Sequence, residues 1–311
     1  MRVAVAISSY NEKSALKRCI QSLLEQTYPV QEIIVVDNRS SDGTTLETFS
    51  EKVTLICHIR NIGPTGAVAT AFQYALERGY DWLWVLDLDS VPRPDALERL
   101  VGVYNDLAPE QQGRVGLLSS HMVTAFSDRV TDHFVLSPKG PRVAHEVRGK
   151  SYCECDCTIW TGSLVNLKAV TKVGFPRYGV EGYWQEFGFD WGDIEFCYRL
   201  RQAGYKVIVD RSSLIEHSVG SPIEGRLFGK MTSTSNHAAF RRYLHFRNMV
   251  YFWCYIYSDK NLFAVLLYIC SRSIKDIVKI IMMENGRIPK IRAILRGIWD
   301  GAVRRNLGDA Y

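Results

Sequence analysis

The sequence predicts an α/β fold, in which a mostly parallel sheet is followed by a helical C-terminal extension. Three observations support this class. Short β-branched runs alternate with stretches of helical periodicity up to about residue 90, a polar loop follows each run, and apolar residues recur at helical spacing after residue 260. Strands that alternate with helices are typical of βαβ units, whose ligands bind at the carboxyl ends of the strands.

The first part of the chain contains the elements from which this sheet is predicted. The strands are Val3–Ile7, Ile33–Val36, Val53–His58 and Trp82–Leu86, and helical periodicity covers residues 16–24 and 68–76. The polar loops after the strands are Ser8–Glu12, Asp37–Gly43, Arg60–Gly66 and Asp87–Ser90. Because parallel strands bring their carboxyl ends to one edge of a sheet, we expect these loops to form the ligand site.

The last third of the sequence is predicted to be helical. Apolar residues recur on one helical face, at Phe263, Leu266, Leu267, Cys270, Ile274, Ile277, Val278 and Ile281. No apolar run approaches the roughly 20 residues that cross a bilayer. The apolar N-terminal run ends at Ser8 without a signal-peptide cleavage site, so we interpret it as a buried strand. We therefore expect a cytoplasmic chain that does not span a membrane.

Positive charge is concentrated near the C-terminus. The whole chain has a formal net charge of +5, and residues 260–311 alone carry ten Lys or Arg against four acids. This asymmetry indicates an anionic partner for the C-terminal segment, such as the inner face of the cell membrane, and argues against a nucleic-acid partner for the protein as a whole. A helix packed on the rest of the chain, or on a second copy in a homo-oligomer, explains the apolar face equally well.

The eight cysteines favour buried thiols in a reducing compartment over a disulfide framework. Cys153, Cys155 and Cys157 are the cluster that could bind a soft metal. In an extended strand they would share one face, and ligand pairs in zinc sites usually lie farther apart in sequence. We therefore expect a packing role for these three residues.

Asp87 and Asp89 follow directly on the fourth predicted strand, so alternation along a strand places both carboxylates on one side of its end. Hard oxygen ligands placed in this way suit Mg²⁺ or Mn²⁺ bridging a diphosphate. An isolated Asp-x-Asp tripeptide is more often a solvated turn. The position after an apolar strand is what favours a metal site.

A second acidic cluster, Asp190–Glu195, leads into a helical pattern. A carboxylate in the first turn of a helix is stabilised as the anion, which suits a general base that accepts a proton from a hydroxyl group. Asp193 as an N-cap and Glu195 as an i,i+4 partner of Arg199 are the structural alternatives. His217 follows a predicted strand, Val207–Val209, and a short loop, and such a histidine alone is more often packed than a ligand.

In combination, these segments resemble family 2 glycosyltransferases. The nucleotide-sugar half of that family is similar to Tyr10–Asn11, Val36–Thr44, Asn61–Gly66 and Asp87–Ser90, and the match continues in order through Phe189–Glu195, Arg199, Gly204–Tyr205 and Glu216–Gly220. Two later segments, Arg241–Asn248 and Arg296–Gly301, are similar to the bacterial rhamnosyltransferase branch. The shared order and spacing of the motifs carry the resemblance, which covers nearly the whole chain.

The resemblance implies a GT-A fold, with a Rossmann-like nucleotide-sugar-binding sheet and transfer with inversion at the anomeric carbon. It implies Mn²⁺ or Mg²⁺ as the cofactor, with Asp89 and His217 at the metal, Asp193 as the catalytic base and Glu195 beside it. The donor would be a nucleotide diphosphate sugar, contacted by Ser9, Asn11, Asp37, Asn61, Gly66 and Asp87.

The chain departs from the family pattern in three places. Asn38 stands where a second acid is common, Arg39 stands where glycine is usual, and Gly192 stands where many relatives have an acid before the base. The first two departures make the nucleotide-base contacts less secure than the metal site. The third leaves Asp193 as the better candidate for the base.

The implied organisation has three regions: a nucleotide-sugar-binding half at 1–120, an acceptor-binding and catalytic half at 121–225, and a helical C-terminal region at 226–311. The acceptor would be a glycan or a lipid-linked sugar in cell-surface polysaccharide synthesis. The C-terminal motifs favour dTDP-L-rhamnose as donor. Arg78–Trp84 and Trp191–Phe196 also resemble galactofuranosyltransferases, so UDP-galactofuranose is the alternative.

Two other classes of protein fit the sequence less well. A catalytically idle nucleotide-binding or scaffold protein would be expected to lack the acids, all of which are present. A dinucleotide-dependent oxidoreductase requires a glycine-rich turn after the first strand, and Ser8–Asn11 contains no glycine.

Overall fold

The computed structural model describes residues 1–47, 49–123, 133–144, 151–177, 188–217, 223–227 and 230–304. The chain forms two compact units. The first consists of Met1–Val135, Val143–Tyr178 and Gly192–His217, and the second of Leu136–Arg142, Gly179–Trp191 and Ser218–Tyr311. Ser218–Gly220 of the family-like motif and Arg305 of the basic segment lie outside the described residues.

The strands before residue 218 are numbered here in chain order. They are β1 Val3–Ser9, β2 Glu32–Asp37, β3 Val53–Cys57, β4 Trp82–Asp87, β5 Ser90–Pro92, β6 Val115–Val123, β7 His133–Ser137, β8 Gly140–Val143, β9 Tyr152–Cys155, β10 Cys157–Thr158, β11 Ser163–Asn166 and β12 Lys206–His217. The helices of the first unit are α1 Lys13–Leu24, α2 Gly63–Glu77, α3 Ala96–Asn105, α4 Pro109–Gln112, α5 Leu167–Val173 and α6 Gly192–Gln202.

A nine-stranded mixed sheet forms the centre of the first unit, in the order β3-β2-β1-β4-β11-β6-β12-β5, with β9 paired to β12. The four strands predicted from the sequence, β1 to β4, pair with one another in parallel. The apolar runs of β1, β2 and β4 are almost completely buried, as expected for strands that are covered on both faces, whereas β3 at the edge of the sheet is only half-buried. The predicted α/β class is confirmed.

The helices of the first unit bury the faces that their periodicity predicts. Leu16, Cys19, Ile20 and Leu23 of α1 lie in the same hydrophobic core cluster as β1 and β2. The helix α2 begins at Gly63, five residues before the predicted periodic segment, because the side chain of Asn61 accepts the Gly63 N–H at 2.9 Å and Pro64 occupies the first turn.

The strand that ends at His217 is longer than the sequence predicts. The expectation of a strand at Val207–Val209 followed by a loop was wrong, because β12 continues to His217 through an irregularity between Asp210 and Leu214. The polar residues at this irregularity, which concealed the strand in the sequence, are partly buried. Among them, the Ser213 hydroxyl donates to the Ala96 carbonyl at 2.8 Å. His217 is therefore a strand residue, paired in register with Ser90 of β5.

The three neighbouring cysteines are not among the described residues that have metal-ligand spacing. Cys153, Cys155 and Cys157 are buried free thiols on β9 and β10. Burial, with the neighbouring Cys197 and Cys155, raises the pKa of the Cys157 thiol well above its usual value. A thiol held in its neutral form packs as a small apolar group, as expected for these residues.

The second unit is mainly helical. It contains a hairpin of β13 Ile223–Leu227 and β14 Lys230–Thr234, followed by α7 Ala239–Tyr251, a π-helical turn Phe252–Ile256, α8 Leu262–Met283 and α9 Arg287–Ala302. The predicted helical C-terminal extension is confirmed. Within the described residues, no helix is both long enough and apolar enough to cross a membrane.

Two glycines allow α7 and α9 to pack backbone to backbone. A Cβ atom on Gly297 would lie 2.5 Å from the Tyr243 carbonyl oxygen, and one on Gly301 would lie 2.5 Å from that of Arg247. The Tyr243 hydroxyl donates to Asp300 across the same interface at 3.0 Å. The two segments that resemble rhamnosyltransferases thus form one helix–helix contact, which gives both of them a packing role.

The buried carboxylate of Glu284 connects the helices of this unit to the hairpin through hydrogen bonds. It accepts hydrogen bonds from Arg242 at 2.5 Å, from Lys290 at 2.8 Å and from the Thr234 hydroxyl. Burial alone would raise the pKa of Glu284, but the bonds from Lys290 and Thr234 and the charge of Arg242 lower it. Removing one partner from a buried ion pair costs about 3–5 kcal/mol, so this cluster stabilises the unit as a whole.

The apolar stripe predicted on α8 is largely exposed. Val265, Ile269 and Ile280 form the buried face of the helix, whereas Phe263 is 73% exposed and Leu267 is 56% exposed. The next helix also exposes apolar side chains, including Trp299 at 66%. Together with the basic residues of the same segment, these side chains form an amphipathic surface on the second unit.

Candidate functional site

The predicted metal ligands meet at the carboxyl end of the sheet. Asp87 is the last residue of β4, Asp89 lies in the turn after it, and His217 is the last residue of β12. One ligand atom from each lies within 4.8 Å of the other two. The Nδ1 atom of His217 is 3.2 Å from the Asp89 carboxylate, and its Nε2 atom is 3.9 Å from that of Asp87.

Two carboxylates and an imidazole suit Mn²⁺ or Mg²⁺, because both ions prefer oxygen ligands and the divalent transition metals also accept imidazole. Among the described His, Cys, Asp and Glu residues, this is the only group of three or more with metal-ligand spacing. The side chains present therefore fit the metal that the family resemblance implies.

Hydrogen bonds orient the candidate ligands. The Thr161 hydroxyl donates to Asp87 at 2.5 Å, and the Ser90 hydroxyl lies 3.4 Å from Nδ1 of His217. Such outer contacts fix the direction in which a ligand atom points. The sequence analysis did not identify Thr161, and the pattern around it contains no signal by which it could have been found.

A buried thiol, Cys19, lies beneath the same turn, with its sulfur 3.8 Å from the Asp87 carbonyl oxygen. Burial raises its pKa strongly, and the negative charges of Asp89 and Asp87 raise it further. Cys19 therefore stays a neutral thiol, and it supports the turn by packing and is not a thiolate ligand.

The loops predicted to hold the donor meet at this edge of the sheet. In the register of the strands, Ser8 lies opposite Asp87 and Ser9 lies opposite Asp37. Asn11 joins the first two loops, because its side-chain oxygen accepts the Ser41 N–H at 2.9 Å. The carboxyl ends of β1, β2 and β4 are thus adjacent, as the sequence predicts.

Asp37 is completely buried at the end of β2. It accepts a hydrogen bond from the Ser40 N–H at 2.8 Å and another from the Ser40 hydroxyl at 2.5 Å. The Ser40 oxygen also accepts the Asn11 N–H at 2.7 Å. Asp37 therefore shapes the loop after β2, and its predicted contact with a nucleotide base stays a prediction.

The two departures after Asp37 have local explanations. Arg39 has φ 65°, a left-handed conformation that glycine adopts at less cost, which explains why glycine is usual at this position. The Asn38 amide group donates to the Gly63 carbonyl, and its oxygen accepts the Ile62 N–H, each at 3.3 Å. A carboxylate at this position would lose the first bond, since it has no N–H to donate.

The remaining predicted donor residues lie at the ends of the same elements. Ser9 is buried at the end of β1, and its hydroxyl has no hydrogen-bond partner among the described residues. Asn61 fixes the start of α2, as noted above. A Cβ atom on Gly66 would lie 2.7 Å from the Ile62 side chain. The absence of a side chain at Gly66 therefore lets Ile62 pack against the first turn of α2. The roles of these three residues toward a donor stay predictions.

The two predicted catalytic acids have different surroundings on α6. Glu195 is 1% exposed and pairs with Arg199 through both oxygens, at 2.7 and 3.0 Å, which confirms the predicted i,i+4 contact. Arg177 lies 3.5 Å from the same carboxylate. Asp193, two residues earlier, is partly exposed and accepts the Ile194 N–H at 2.8 Å.

Arg199 also anchors the chain before α6. It donates to the carbonyl of Val173 at 2.5 Å and to that of Phe175 at 3.0 Å. Glu195 therefore holds an arginine that ties α6 to the end of α5. This arrangement is that of a positioning residue, and the predicted role of the more accessible carboxylate, Asp193, as the base stays a prediction.

Comparisons with known proteins identify the family of the N-terminal region. Residues 4–111 match the family model of glycosyl transferase family 2, so the chain carries a domain of this family. The succinoglycan biosynthesis protein ExoO of Rhizobium meliloti is 35% identical over 102 residues, a match that covers 32% of this chain and 28% of ExoO. The undecaprenyl-phosphate mannosyltransferase of Micrococcus luteus is 34% identical over 106 residues, covering 32% of this chain and 43% of the relative.

The match therefore spans less than half the length of either relative. Over the whole fold, the chain is similar to the mannosyltransferase PcManGT from Pyrobaculum calidifontis, whose structure was solved in complex with GDP-Man and Mn²⁺. The TM-score is 0.57 at 18% identity, covering 99% of this chain and 77% of that one. This likeness confirms the GT-A fold.

Proposed function

We propose that the family 2 domain makes this chain an inverting, metal-dependent glycosyltransferase, which moves a sugar from a nucleotide diphosphate to a glycan or lipid-linked acceptor in cell-surface polysaccharide synthesis. The observation that carries the proposal is the cluster of Asp87, Asp89 and His217 at the edge where the donor loops meet. The relatives support it, since one is a succinoglycan biosynthesis protein and the other a mannosyltransferase.

In this proposal, Asp89 and His217 would hold Mn²⁺ or Mg²⁺, and Asp87 would contact the donor beside them. The metal would supply charge neutralisation for the departing nucleotide diphosphate. Thr161 keeps the Asp87 carboxylate directed at the site through its 2.5 Å hydrogen bond. Asp37 and Asn11 shape the loops that receive the nucleotide.

Asp193 is proposed as the base that accepts the proton of the acceptor hydroxyl as the new glycosidic bond forms. Its place in the first turn of α6 stabilises the anion, which is the form that accepts a proton. Inversion requires the acceptor to attack the anomeric carbon from the face opposite the departing diphosphate. Glu195 positions this turn through Arg199.

The regions keep the roles implied by the family resemblance: donor binding at 1–120, acceptor binding and catalysis at 121–225, and a helical C-terminal region at 226–311. The donor is proposed to be dTDP-L-rhamnose, because Arg241–Asn248 and Arg296–Gly301 resemble the rhamnosyltransferase branch. UDP-galactofuranose is the second candidate, supported by the segments Arg78–Trp84 and Trp191–Phe196.

A donor panel tests the function directly. The full chain is incubated with Mn²⁺ and, separately, dTDP-L-rhamnose, UDP-galactofuranose, GDP-mannose and UDP-glucose, and release of the nucleotide diphosphate is measured. We expect the fastest hydrolysis with dTDP-L-rhamnose and at least about tenfold less with the others. Fastest release from UDP-galactofuranose would favour the second candidate. Release from no donor above the background of the Asp89→Ala variant would instead favour an idle nucleotide-binding protein.

The amphipathic surface of the second unit is proposed to rest on an anionic membrane at the cytoplasmic face. Exposed apolar side chains and basic residues on the same helices are typical of interfacial helices. Phe263 and Leu267 project more than half of their surface into solvent. Contact with a second copy of the chain would cover the same apolar residues and is the alternative.

Vesicle flotation separates the two alternatives. We expect the full chain to float with phosphatidylglycerol vesicles, and the double substitution Phe263→Ser with Leu267→Ser to reduce binding by at least about tenfold, since each buried large apolar side chain contributes about 1.5–3 kcal/mol. Ile59→Ser is the matched control, because Ile59 is 91% exposed in the first unit. A dimer in sedimentation that the double substitution dissociates, without any flotation, would favour the second copy.

A further inference from the structure

The second unit contains a cavity of about 370 Å³ that the proposed reaction does not use. Its lining includes four permanently charged cations and two histidines, namely Arg241, Arg242, Arg272, Lys279, His237 and His245. Two acids, Asp190 and Asp276, also line it. The volume falls within the range of small-ligand pockets and exceeds the space that a single phosphate group occupies.

The two acids of the cavity already have cationic partners. Asp276 lies 3.5 Å from Arg272 on α8, and Asp190 lies 3.4 Å from Nδ1 of His245. Burial alone would raise the pKa of Asp190, but the charge and hydrogen bond of His245, and the charges of Arg241 and His237, lower it. Asp190 is therefore shared among several cationic side chains of the lining.

Arg241 and Lys279 have no carboxylate partner within the described residues. Arg241 is exposed and makes neither an ion pair nor a hydrogen bond there, and the Lys279 amino group donates only to the Ser233 carbonyl, at 2.8 Å. The lining carries four permanent cations against two acids, and this excess of positive charge attracts an anion.

Arg242 is a further cation of the lining. Its side chain is only 6% exposed, and one terminal nitrogen pairs with Glu284 at 2.5 Å. Its Nε atom is buried without a hydrogen-bond partner among the described residues. Because this atom has almost no accessible surface, it does not face the cavity, and Arg242 contributes its charge to the lining and not a free N–H group.

The pKa of His237 reflects the positive charge around the N-terminal end of α7. Burial lowers its pKa to about 4, and the neighbouring charges of Arg241, Arg242 and His245 act in the same direction, against that of Asp190. The N-cap residue of this helix, Ala238, makes no side-chain capping bond. Backbone N–H groups at a helix N-terminus add to the attraction for an anion.

We propose that this cavity binds a phosphate-type anion, either free or at the head of a lipid chain. Arginine forks and a lysine are the side chains that recognise phosphate oxygens. The lipid-borne form is favoured, because the same helix α8 that contributes Arg272 and Lys279 also exposes Phe263, Leu266 and Leu267. The site does not depend on the transferase activity proposed above.

Binding of inorganic pyrophosphate to the full chain tests the site. Calorimetry in excess EDTA keeps the proposed metal site out of the measurement. We expect saturable binding that Arg241→Gln and Lys279→Gln each weaken about tenfold or more, since each removes a charge-assisted hydrogen bond. Arg292→Gln is the matched control: Arg292 is an exposed arginine of α9 outside the cavity, so its loss should change the dissociation constant less than about twofold.

The source of the phosphate is distinguished by three probes. Geranyl phosphate, inorganic phosphate and phosphatidylglycerol vesicles are compared with the wild-type chain and the Arg241→Gln variant. Tighter binding of geranyl phosphate than of inorganic phosphate supports the lipid-borne form, equal binding supports a free phosphate, and Arg241-dependent binding of vesicles alone supports a bilayer headgroup.

A site-specific readout keeps the proposal falsifiable. An anion in the cavity should raise the pKa of His237, because it stabilises the charged imidazolium, and this pKa is measured by NMR titration with and without pyrophosphate. No saturable binding of any phosphate probe, equal weakening by Arg241→Gln and Arg292→Gln, or an unchanged pKa of His237 at saturation would each overturn the proposal.

Discussion

Replacing Asp193 with asparagine is expected to slow sugar transfer by about 10²–10⁴-fold, the usual contribution of a general base. Asparagine preserves the shape of the side chain and its oxygen can still accept the Ile194 N–H. Folding and donor binding should therefore survive, and only proton abstraction is lost. The measurement is transfer to the acceptor at saturating donor, together with the dissociation constant of the nucleotide diphosphate, which should change less than about twofold.

Glu195→Gln is the comparison that separates catalysis from positioning. Glutamine cannot accept two charge-assisted bonds from Arg199 as the carboxylate does at 2.7 and 3.0 Å. Because Glu195 is almost completely buried, we expect this substitution to lower the free energy of unfolding as well as the rate. Asp193→Asn should lower the rate at nearly unchanged stability.

The outcome that contradicts this assignment is specific. If Asp193→Asn transfers sugar at nearly the wild-type rate, while folded Glu195→Gln is inactive, the base lies two residues farther along α6. Arg199→Lys then helps to interpret the result, since it keeps the positive charge but loses the planar fork that engages both oxygens of Glu195. A positioning role for Glu195 predicts that Arg199→Lys lowers the rate in the same way as Glu195→Gln.

The parallel part of the sheet could be predicted from the sequence because each strand is a continuous apolar run followed by a polar loop. Periodicity was sufficient for β1, β2 and β4, which are buried on both faces, and for β3, which is half-buried at the edge of the sheet. It failed at β12, where Asp210–Ser213 is polar yet partly buried. The hydrogen bond from Ser213 to Ala96 that makes this burial possible comes from a residue 117 positions away, so no local pattern contains it.

The amphipathic pattern of α8 predicted a helix but not the side that it would bury. Phe263, Leu267 and Ile274 are exposed to solvent, whereas Val265 and Ile269 are buried in the unit. The two sets of residues have nearly the same helical spacing. Both faces are apolar over part of the helix, and a count of periodic positions does not rank them. Only the packing of neighbouring residues decides which face is covered.

The site was predicted to the extent that its residues end a strand or begin a helix. Asp87, Asp89 and His217 were identified and lie together. Thr161, which orients Asp87, was missed because a single threonine carries no pattern. The cationic cavity, in contrast, could have been noticed in the sequence. His237, Arg241 and His245 recur every four residues, which places Arg241 and His245 on one side of α7.

Asp89→Ala, or removal of divalent cations, is expected to abolish nearly all transfer, by about 10²-fold or more. Lewis-acid stabilisation of a departing diphosphate contributes several kcal/mol, and each 1.4 kcal/mol is a factor of ten in rate. With Asp89 removed, one carboxylate and one imidazole of the cluster would remain, which is too few ligands to hold Mg²⁺ or Mn²⁺ firmly in competition with water. The measurement is transfer after dialysis against EDTA and after addition of graded Mn²⁺.

Wild-type activity should return as Mn²⁺ is added, whereas Asp89→Ala should require a much higher concentration or fail to recover. Asp106→Ala is the matched control, because Asp106 is an exposed aspartate at the end of α3 and its loss should leave the Mn²⁺ dependence unchanged. His217→Ala should shift the Mn²⁺ requirement in the same direction as Asp89→Ala, since both residues contribute an atom to the cluster. Full turnover in excess EDTA would show that Asp87, Asp89 and His217 bind the donor without a metal, and the metal-dependent mechanism would then be wrong.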